Sequence, residues 1–290
     1  MDLEQIVREE LTCPACFNFM APPIKMCTRG HSVCNDCLHR VTICPKCRGT
    51  MSACRNFALE SIHSKIVVPC KYQAMGCEYE CLGESMGKHQ AFCNYTKTIC
   101  PFANYDNCKW KDALVNLRLH LLEKHANNFY VRDKQKFVSQ KFANIQAYHY
   151  IFAVMYYFEH FFRITWECSE VTGLTRWAVY LMGSPEDAKK YAYKLEFTRG
   201  HLVEPNAIPL SYKSVCDSMP QKSRDLFKDH SGFYIHKSEL DKYCTNNGNL
   251  HYKITIYSLE GDEDSTKCDA AAVVAASPDN TQTDVVNNSK

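Results

Sequence analysis

Residues 13–47 read CPACFNFMAPPIKMCTRGHSVCNDCLHRVTICPKC, and their reading decides the architecture of the chain. Written as spacings, the stretch is Cys13-x2-Cys16-x10-Cys27-x3-His31-x2-Cys34-x2-Cys37-x6-Cys44-x2-Cys47. Zinc takes four thiolate or imidazole ligands in a tetrahedron, and each Cys-x2-Cys hairpin supplies a preformed pair. Eight ligands in four pairs serve two ions. The spacing alone leaves two arrangements open. Sequential pairing makes two independent knuckles. Interleaving puts Cys13, Cys16, Cys34 and Cys37 on one ion and Cys27, His31, Cys44 and Cys47 on the other. The intervening text is loop-like, punctuated by Pro14, Pro22, Pro23, Gly30, Pro45 and Gly49. Too few apolar residues cluster here to offset the lost chain entropy, so metal must staple the segment.

The same character continues downstream in two similar passes. Cys70-x6-Cys77-x11-His89-x3-Cys93 is followed by Cys100-x7-Cys108-x11-His120-x4-His125. Each offers four ligands, and the His-containing end of each fits one helical turn. Cys81 competes with Cys77, but the parallel between the passes favours Cys77. Their Cys–Cys gaps are wider than those of DNA-reading fingers. Sixteen ligands imply four Zn2+ ions. Cys54, Cys168, Cys216, Cys244 and Cys268 have no partner at ligand spacing and read as ordinary cysteines.

Cysteine also divides the chain. Of 18 in 290 residues, all but four precede residue 109. The opening MDLEQIVREE carries five charges and no apolar core, so it does not read as a signal peptide. The longest apolar run, Tyr150–Phe158, is far short of the roughly 20 residues that span a bilayer. Dense cysteine without a secretion signal favours metal over disulfides. The expectation is a soluble intracellular zinc protein, cytoplasmic with the nucleus as a second location. A net charge of +2 offers no bulk attraction to nucleic acid or membrane, and neither is expected as a partner.

After about residue 129 the texture changes to short apolar and aromatic runs between Gly, Asn and Ser breaks. Tyr148–Phe158, Phe161–Cys168, Arg176–Met182, Ala192–Thr198, Phe233–His236 and Tyr252–Leu259 read as strands. Trp177, Val179 and Leu181 recur at period two, as do Tyr252, Ile254 and Ile256. Ser184-Pro185-Glu186-Asp187 reads as a capped helix start, and Ser238–Tyr243 as a second short helix. Many short strands with two brief helices predict an antiparallel β-sandwich. The expected organisation is a lead-in helix over 1–10, a metal module over 11–52, a linker over 53–68, tandem zinc fingers over 69–127, a sandwich over 128–260 and a disordered tail over 261–290.

One His among seven Cys, with Pro45 inside the last Cys-x2-Cys, resembles the RING finger. That resemblance implies the interleaved cross-brace and the docking of a ubiquitin-conjugating enzyme, whose thioester-linked ubiquitin passes to a lysine. By the same resemblance Ala15, Ile24, Val41 and Pro45 form the apolar groove for that enzyme. Arg48, directly after the last ligand, is the cation that bridges enzyme and ubiquitin. The resemblance also implies that the RING supplies no nucleophile and that its catalysis is positioning.

The order of modules resembles the seven-in-absentia family of ubiquitin ligases. The text that carries it is Cys44-Pro-Lys-Cys-Arg-Gly49, Arg55-Asn-Phe-Ala-Leu-Glu60, Pro69-Cys-Lys-Tyr72, Cys108-Lys-Trp110, Tyr191-Ala-Tyr-Lys-Leu-Glu196 and Asn247-Gly-Asn-Leu250. The resemblance implies zinc-stabilised α+β modules, a RING plus two zinc fingers, followed by an all-β TRAF-like antiparallel sandwich. It implies that the sandwich forms a homodimer and captures substrates or adaptors as extended peptides added to a sheet edge. By the same resemblance Val131, Tyr150 and Phe152 map to that edge, and bound proteins are expected to be marked for proteasomal degradation. The competing expectation is a zinc-dependent scaffold without ligase activity.

Overall fold

A computed structural model describes residues 3–145, 148–169, 171–198, 210–219, 232–260 and 285–286. Contacts divide the chain into two compact units. One holds residues 1–97 and 113–115, the other residues 98–112 and 116–290.

The first unit opens with helix Leu3–Leu11, which sends Leu11 into the core at 0% exposure and rests Val7 beside it. The sheet that follows is three-stranded and antiparallel. Ile24–Cys27 lies between Ser32–Cys34 and Met51–Arg55, and helix Asn35–Leu38 leaves the second of these. Two tight knuckles lie outside the sheet. Phe17 N donates to Cys13 O and Arg48 N to Cys44 O, both at 2.8 Å. Phe17 and Arg48 each adopt the left-handed conformation, with φ of 60° and 59°.

The stretch expected as a linker, 53–68, is instead built into the fold. It holds the end of the Met51–Arg55 strand and the helix Phe57–Lys65. Asn56 caps that helix, its side chain accepting from Leu59 N, which satisfies one of the free N–H groups of the first turn. Glu60 then reaches back to the sheet and accepts from Ile24 N at 2.8 Å and Arg55 Nε at 3.0 Å. Composition hid this because the helix exposes much of its surface, and its anchoring is a buried carboxylate rather than an apolar stripe. Counting the RING as the first finger, the second, with Cys70, Cys77, His89 and Cys93, pairs Val67–Pro69 with Glu80–Leu82, then turns into helix Gly83–Phe92, and the third runs from Cys100 to His125. A side chain at Gly83 would collide with the His63 carbonyl, so glycine permits the two helices to meet.

The second unit groups most of the third finger with the sandwich. Helix Leu117–Lys124 carries the finger's histidine end. One sandwich sheet runs Asp217–Ser218, Leu174–Leu181, His160–Cys168, Tyr148–Tyr157, Phe129–Tyr130, with Phe233–His236 also on Leu174–Leu181. The other runs Leu210–Val215, Tyr191–Thr198, Leu250–Ser258, Lys134–Ser139. The long ladders are antiparallel, while the Phe129–Tyr130 and Asp217–Ser218 pairings are parallel. Alternation delivers the core. Trp177, Val179 and Leu181 face Tyr252, Ile254 and Ile256 within one buried cluster. Trp166 and Trp177 stack at its centre, ring centroids 5.5 Å apart.

The two short helices form as Pro185–Ala188, capped by Ser184, and Lys237–Asp241, capped by His236. Strands Lys134–Ser139 and Leu210–Val215 are not among the runs that read as strands in the sequence: Leu210–Val215 is an edge strand of alternating half-buried and exposed residues, and half of Lys134–Ser139 is lysine or glutamine, a weaker sequence signal. Of the tail, Val285–Val286 lies parallel beside Val138 and Ser139, and the rest falls outside the described residues. Among the described residues no helix is long and apolar enough to cross a membrane.

Candidate zinc centres and the RING face

Among the described residues stand four clusters of donors: Cys13, Cys16, Cys34, Cys37; Cys27, His31, Cys44, Cys47; Cys70, Cys77, His89, Cys93; and Cys100, Cys108, His120, His125. The first two are interleaved, which resolves the alternative the spacing left open. Tetrahedral zinc, with bonds of about 2.3 Å to sulfur and 2.0 Å to nitrogen, requires edges of about 3.8 Å between sulfurs and about 3.5 Å from sulfur to nitrogen. Sγ atoms are 3.8 Å apart for Cys16 and Cys34, 3.8 Å for Cys27 and Cys47, and 3.9 Å for Cys70 and Cys93. Cys27 Sγ lies 3.7 Å from His31 Nδ1, and Cys77 and Cys108 each lie 3.4 Å from Nε2 of His89 and His120. The donors fit four zinc ions. Cys81 is outside its cluster, its thiol turned to the Leu82 carbonyl.

Backbone and ring contacts prepare these donors. The N–H groups of Cys34, Arg29 and Phe102 point at the sulfurs of Cys13, Cys27 and Cys100. Burial opposes ionisation of Cys27, but hydrogen bonds from Arg29 and His31 outweigh it and lower its thiol to about 6. Burial pushes Cys93 and Cys100 up to about 12. A divalent cation must therefore displace their protons, and affinity falls in acid. In both fingers the aromatic two residues beyond the second cysteine lies flat on the first histidine. Tyr79 stacks on His89 at 4.0 Å and Trp110 on His120 at 4.7 Å.

On the RING, Ala15 and Val41 rest half-buried against one core cluster. Pro45 and Arg48 are exposed, Arg48 in its left-handed knuckle. Ile24 does not belong with them. Its side chain is 0% exposed, because its strand packs it into the core and Glu60 holds its backbone, so no partner can touch it. The structure supplies two apolar residues that sequence reasoning missed. Phe17 is 79% exposed on the first knuckle and Ile43 is 57% exposed just before the second. Their signal was position, since each adjoins a Cys-x2-Cys pair.

In the sandwich, Val131 is exposed directly after strand Phe129–Tyr130. That strand meets Tyr148–Tyr157 at Val154 and Met155. The part from Tyr148 to Ala153 has no paired neighbour on that side among the described residues. Tyr150 pairs with Trp166 across the other side. The pairing register shifts between Ile151 and Ala153, and the side chains of Tyr150 and Phe152 lie outside the described residues.

A cross-braced double-zinc module, two further zinc fingers and a β-sandwich define a multidomain RING protein. Comparison with known families gives the same order. The sequence model of the RING finger of sina/sinah E3 ubiquitin-protein ligases matches residues 13–47, that of the Sina zinc finger residues 61–138, and that of the Sina TRAF-like domain residues 155–255. The chain belongs to the seven-in-absentia family. It is 32% identical over 196 residues to the E3 ubiquitin-protein ligase siah2 of Xenopus laevis, covering 65% of this chain and 62% of that relative. It is 26% identical over 247 residues to the E3 ubiquitin-protein ligase sina of Drosophila melanogaster, covering 84% and 76%. To the probable E3 ubiquitin-protein ligase sinah of the same fly it is 38% identical over 117 residues, covering 40% and 33%. The match thus spans just under two thirds of the frog protein and one third of sinah.

Proposed function

We propose that the chain is a RING-type ubiquitin ligase, recruiting a charged ubiquitin-conjugating enzyme and promoting ubiquitin transfer to proteins held by its sandwich. The observation that carries this reading is the cross-braced pair of zinc clusters presenting Arg48 outward, immediately after the last ligand. Four-ligand zinc sites leave no position for substrate, so the ions hold the surface in shape. Ala15, Val41 and Pro45, extended by Phe17 and Ile43, form the face that docks the conjugating enzyme. Ile24 supports that face from within.

The chemistry occurs on the partner. A substrate lysine, as the neutral amine, attacks the carbonyl of the ubiquitin thioester, the C–N bond forms as the C–S bond breaks, the conjugating enzyme's cysteine leaves as thiolate, and the nitrogen's extra proton passes to solvent. Arg48 is a positioning residue. Its guanidinium offers five fixed donors that bridge enzyme and ubiquitin and restrict the thioester to a reactive pose. Substrates dock as extended peptides on the open edge from Tyr148 to Ala153, beside Val131, and two chains associate through their sandwiches. The tagged proteins go to the proteasome, and the protein works in the cytoplasm and nucleus.

Self-ubiquitination of the zinc-loaded chain against a panel of conjugating enzymes tests this. The parent forms conjugates, and Arg48→Ala slows transfer about 10²-fold, the scale expected for lost positioning, with zinc content unchanged. Silence of the parent across the panel, at four zinc ions per chain, sinks the ligase reading and leaves a zinc-dependent protein-binding scaffold.

A further inference from the structure

The two Sina-type fingers differ in one contact. In the third, Asp106 Oδ2 lies 2.8 Å from His125 Nδ1, while Asp106 Oδ1 accepts from Cys108 N at 3.1 Å. The opposite ring atom, His125 Nε2, stands 3.3 Å from Cys100 Sγ inside the donor cluster. Nε2 therefore faces the metal and Nδ1 carries the hydrogen. The residue before the second cysteine has positive φ in both fingers, Gly76 at 110° and Asn107 at 58°. One place earlier stands Met75 in one finger and Asp106 in the other. The fourth ligands differ correspondingly, Cys93 against His125. A thiolate binds metal from any rotation about its Cβ–S bond and has no tautomer. An imidazole must have the correct nitrogen free and its plane aimed.

We infer that Asp106 is the positioning residue of the third zinc centre, fixing the tautomer and plane of His125 as a carboxylate–histidine–zinc relay. The other two finger histidines do not need it, because stacking on Tyr79 and Trp110 holds their rings flat. Phe102 meets His125 only at a 33° tilt, which leaves the ring free to turn without a second partner. Carboxylate partners of this kind set metal affinity over about 10–100-fold.

The test uses the full zinc-loaded chain. A chromophoric zinc chelator is titrated against the parent, Asp106→Asn and Asp106→Glu. Cadmium substitution identifies the site that empties, since two sulfurs and two nitrogens give this centre a resonance distinct from the three sulfur-richer ones. Asp106→Asn should release this one ion at about 10–100-fold lower chelator activity, with the other three unmoved, and Asp106→Glu should recover part of the loss. In nitrogen-resolved spectra of the parent, His125 should show a protonated Nδ1 in slow exchange with water, and in Asp106→Asn that exchange should become fast. Unchanged release in Asp106→Asn overturns the inference. So does easier release with the His125 signals unmoved, which would trace the effect to the Cys108 amide alone. A fast-exchanging Nδ1 hydrogen in the parent overturns it without any variant. A parent holding fewer than four ions is a different result, counting against the zinc assignment rather than against Asp106.

Discussion

The RING and the sandwich solve the same problem by opposite means. Among the described residues, the RING's buried cluster has eight members, three of them zinc-ligating cysteines, while the sandwich's main cluster has twenty-three around two stacked tryptophans. Hydrophobic burial scales with area and is spread over many side chains. Metal ligation concentrates stabilisation in four bonds, which suits a short segment with few apolar side chains to bury. The difference teaches where each half is fragile: one fails when a single ion leaves, the other when its packing is broken.

Removing the metal should give the largest effect. A structural zinc contributes about 10–16 kcal/mol to its module, so strong chelation should abolish hydrogen-exchange protection across residues 13–93. Strands Leu174–Leu181 and Leu250–Ser258 should stay protected. Parallel loss in both would break the comparison. Next comes the sandwich core. Trp177→Ala removes a side chain 2% exposed and should cost about 3–5 kcal/mol, lowering the sandwich's melting transition. The RING's two ions should still be retained, which metal analysis reads directly.

Glu60→Gln is smaller. Its carboxyl is held below the ordinary carboxylate range, first by the Arg55 hydrogen bond and then by Ile24 N, with burial opposing. Losing the charge should cost on the order of 1 kcal/mol, the partial exposure of Arg55 keeping it low. A folded pKa below the unfolded one means this stabilisation is complete above about pH 4.3. It disappears as pH falls through the lowered folded value. The gap between parent and variant in denaturant midpoints should therefore close in acid, and a gap that widened would overturn this account. Smallest of all, Cys81→Ser should leave four zinc ions and move stability by less than about 0.5 kcal/mol. Loss of an ion would reassign the second finger's ligands.

Much of this was legible before any coordinates. Ligand spacing named all sixteen donors, because a tetrahedron of fixed size tolerates few chain geometries. Period-two alternation named the core-facing residues of Leu174–Leu181 and Leu250–Ser258, because successive strand side chains point to opposite faces, although Leu174–Leu181 is buried on both. Beyond those local rules the sequence alone misled or was silent. Ile24 looked like a surface contact until its strand turned it inward, and 53–68 looked like a linker until Glu60 clasped Ile24 and Arg55.

What the sequence by itself determined, then, was which atoms bind metal and which strands have a buried face, since spacing and periodicity are properties of a few consecutive residues. Only the tertiary structure decided that the RING ions interleave, that Phe17 and Ile43 stand exposed, and that most of the third finger groups with the sandwich. It also set Asp106 against His125, nineteen positions later. Those are meetings between residues far apart along the chain, and burial or hydrogen bonding at such a meeting depends on how the whole unit closes.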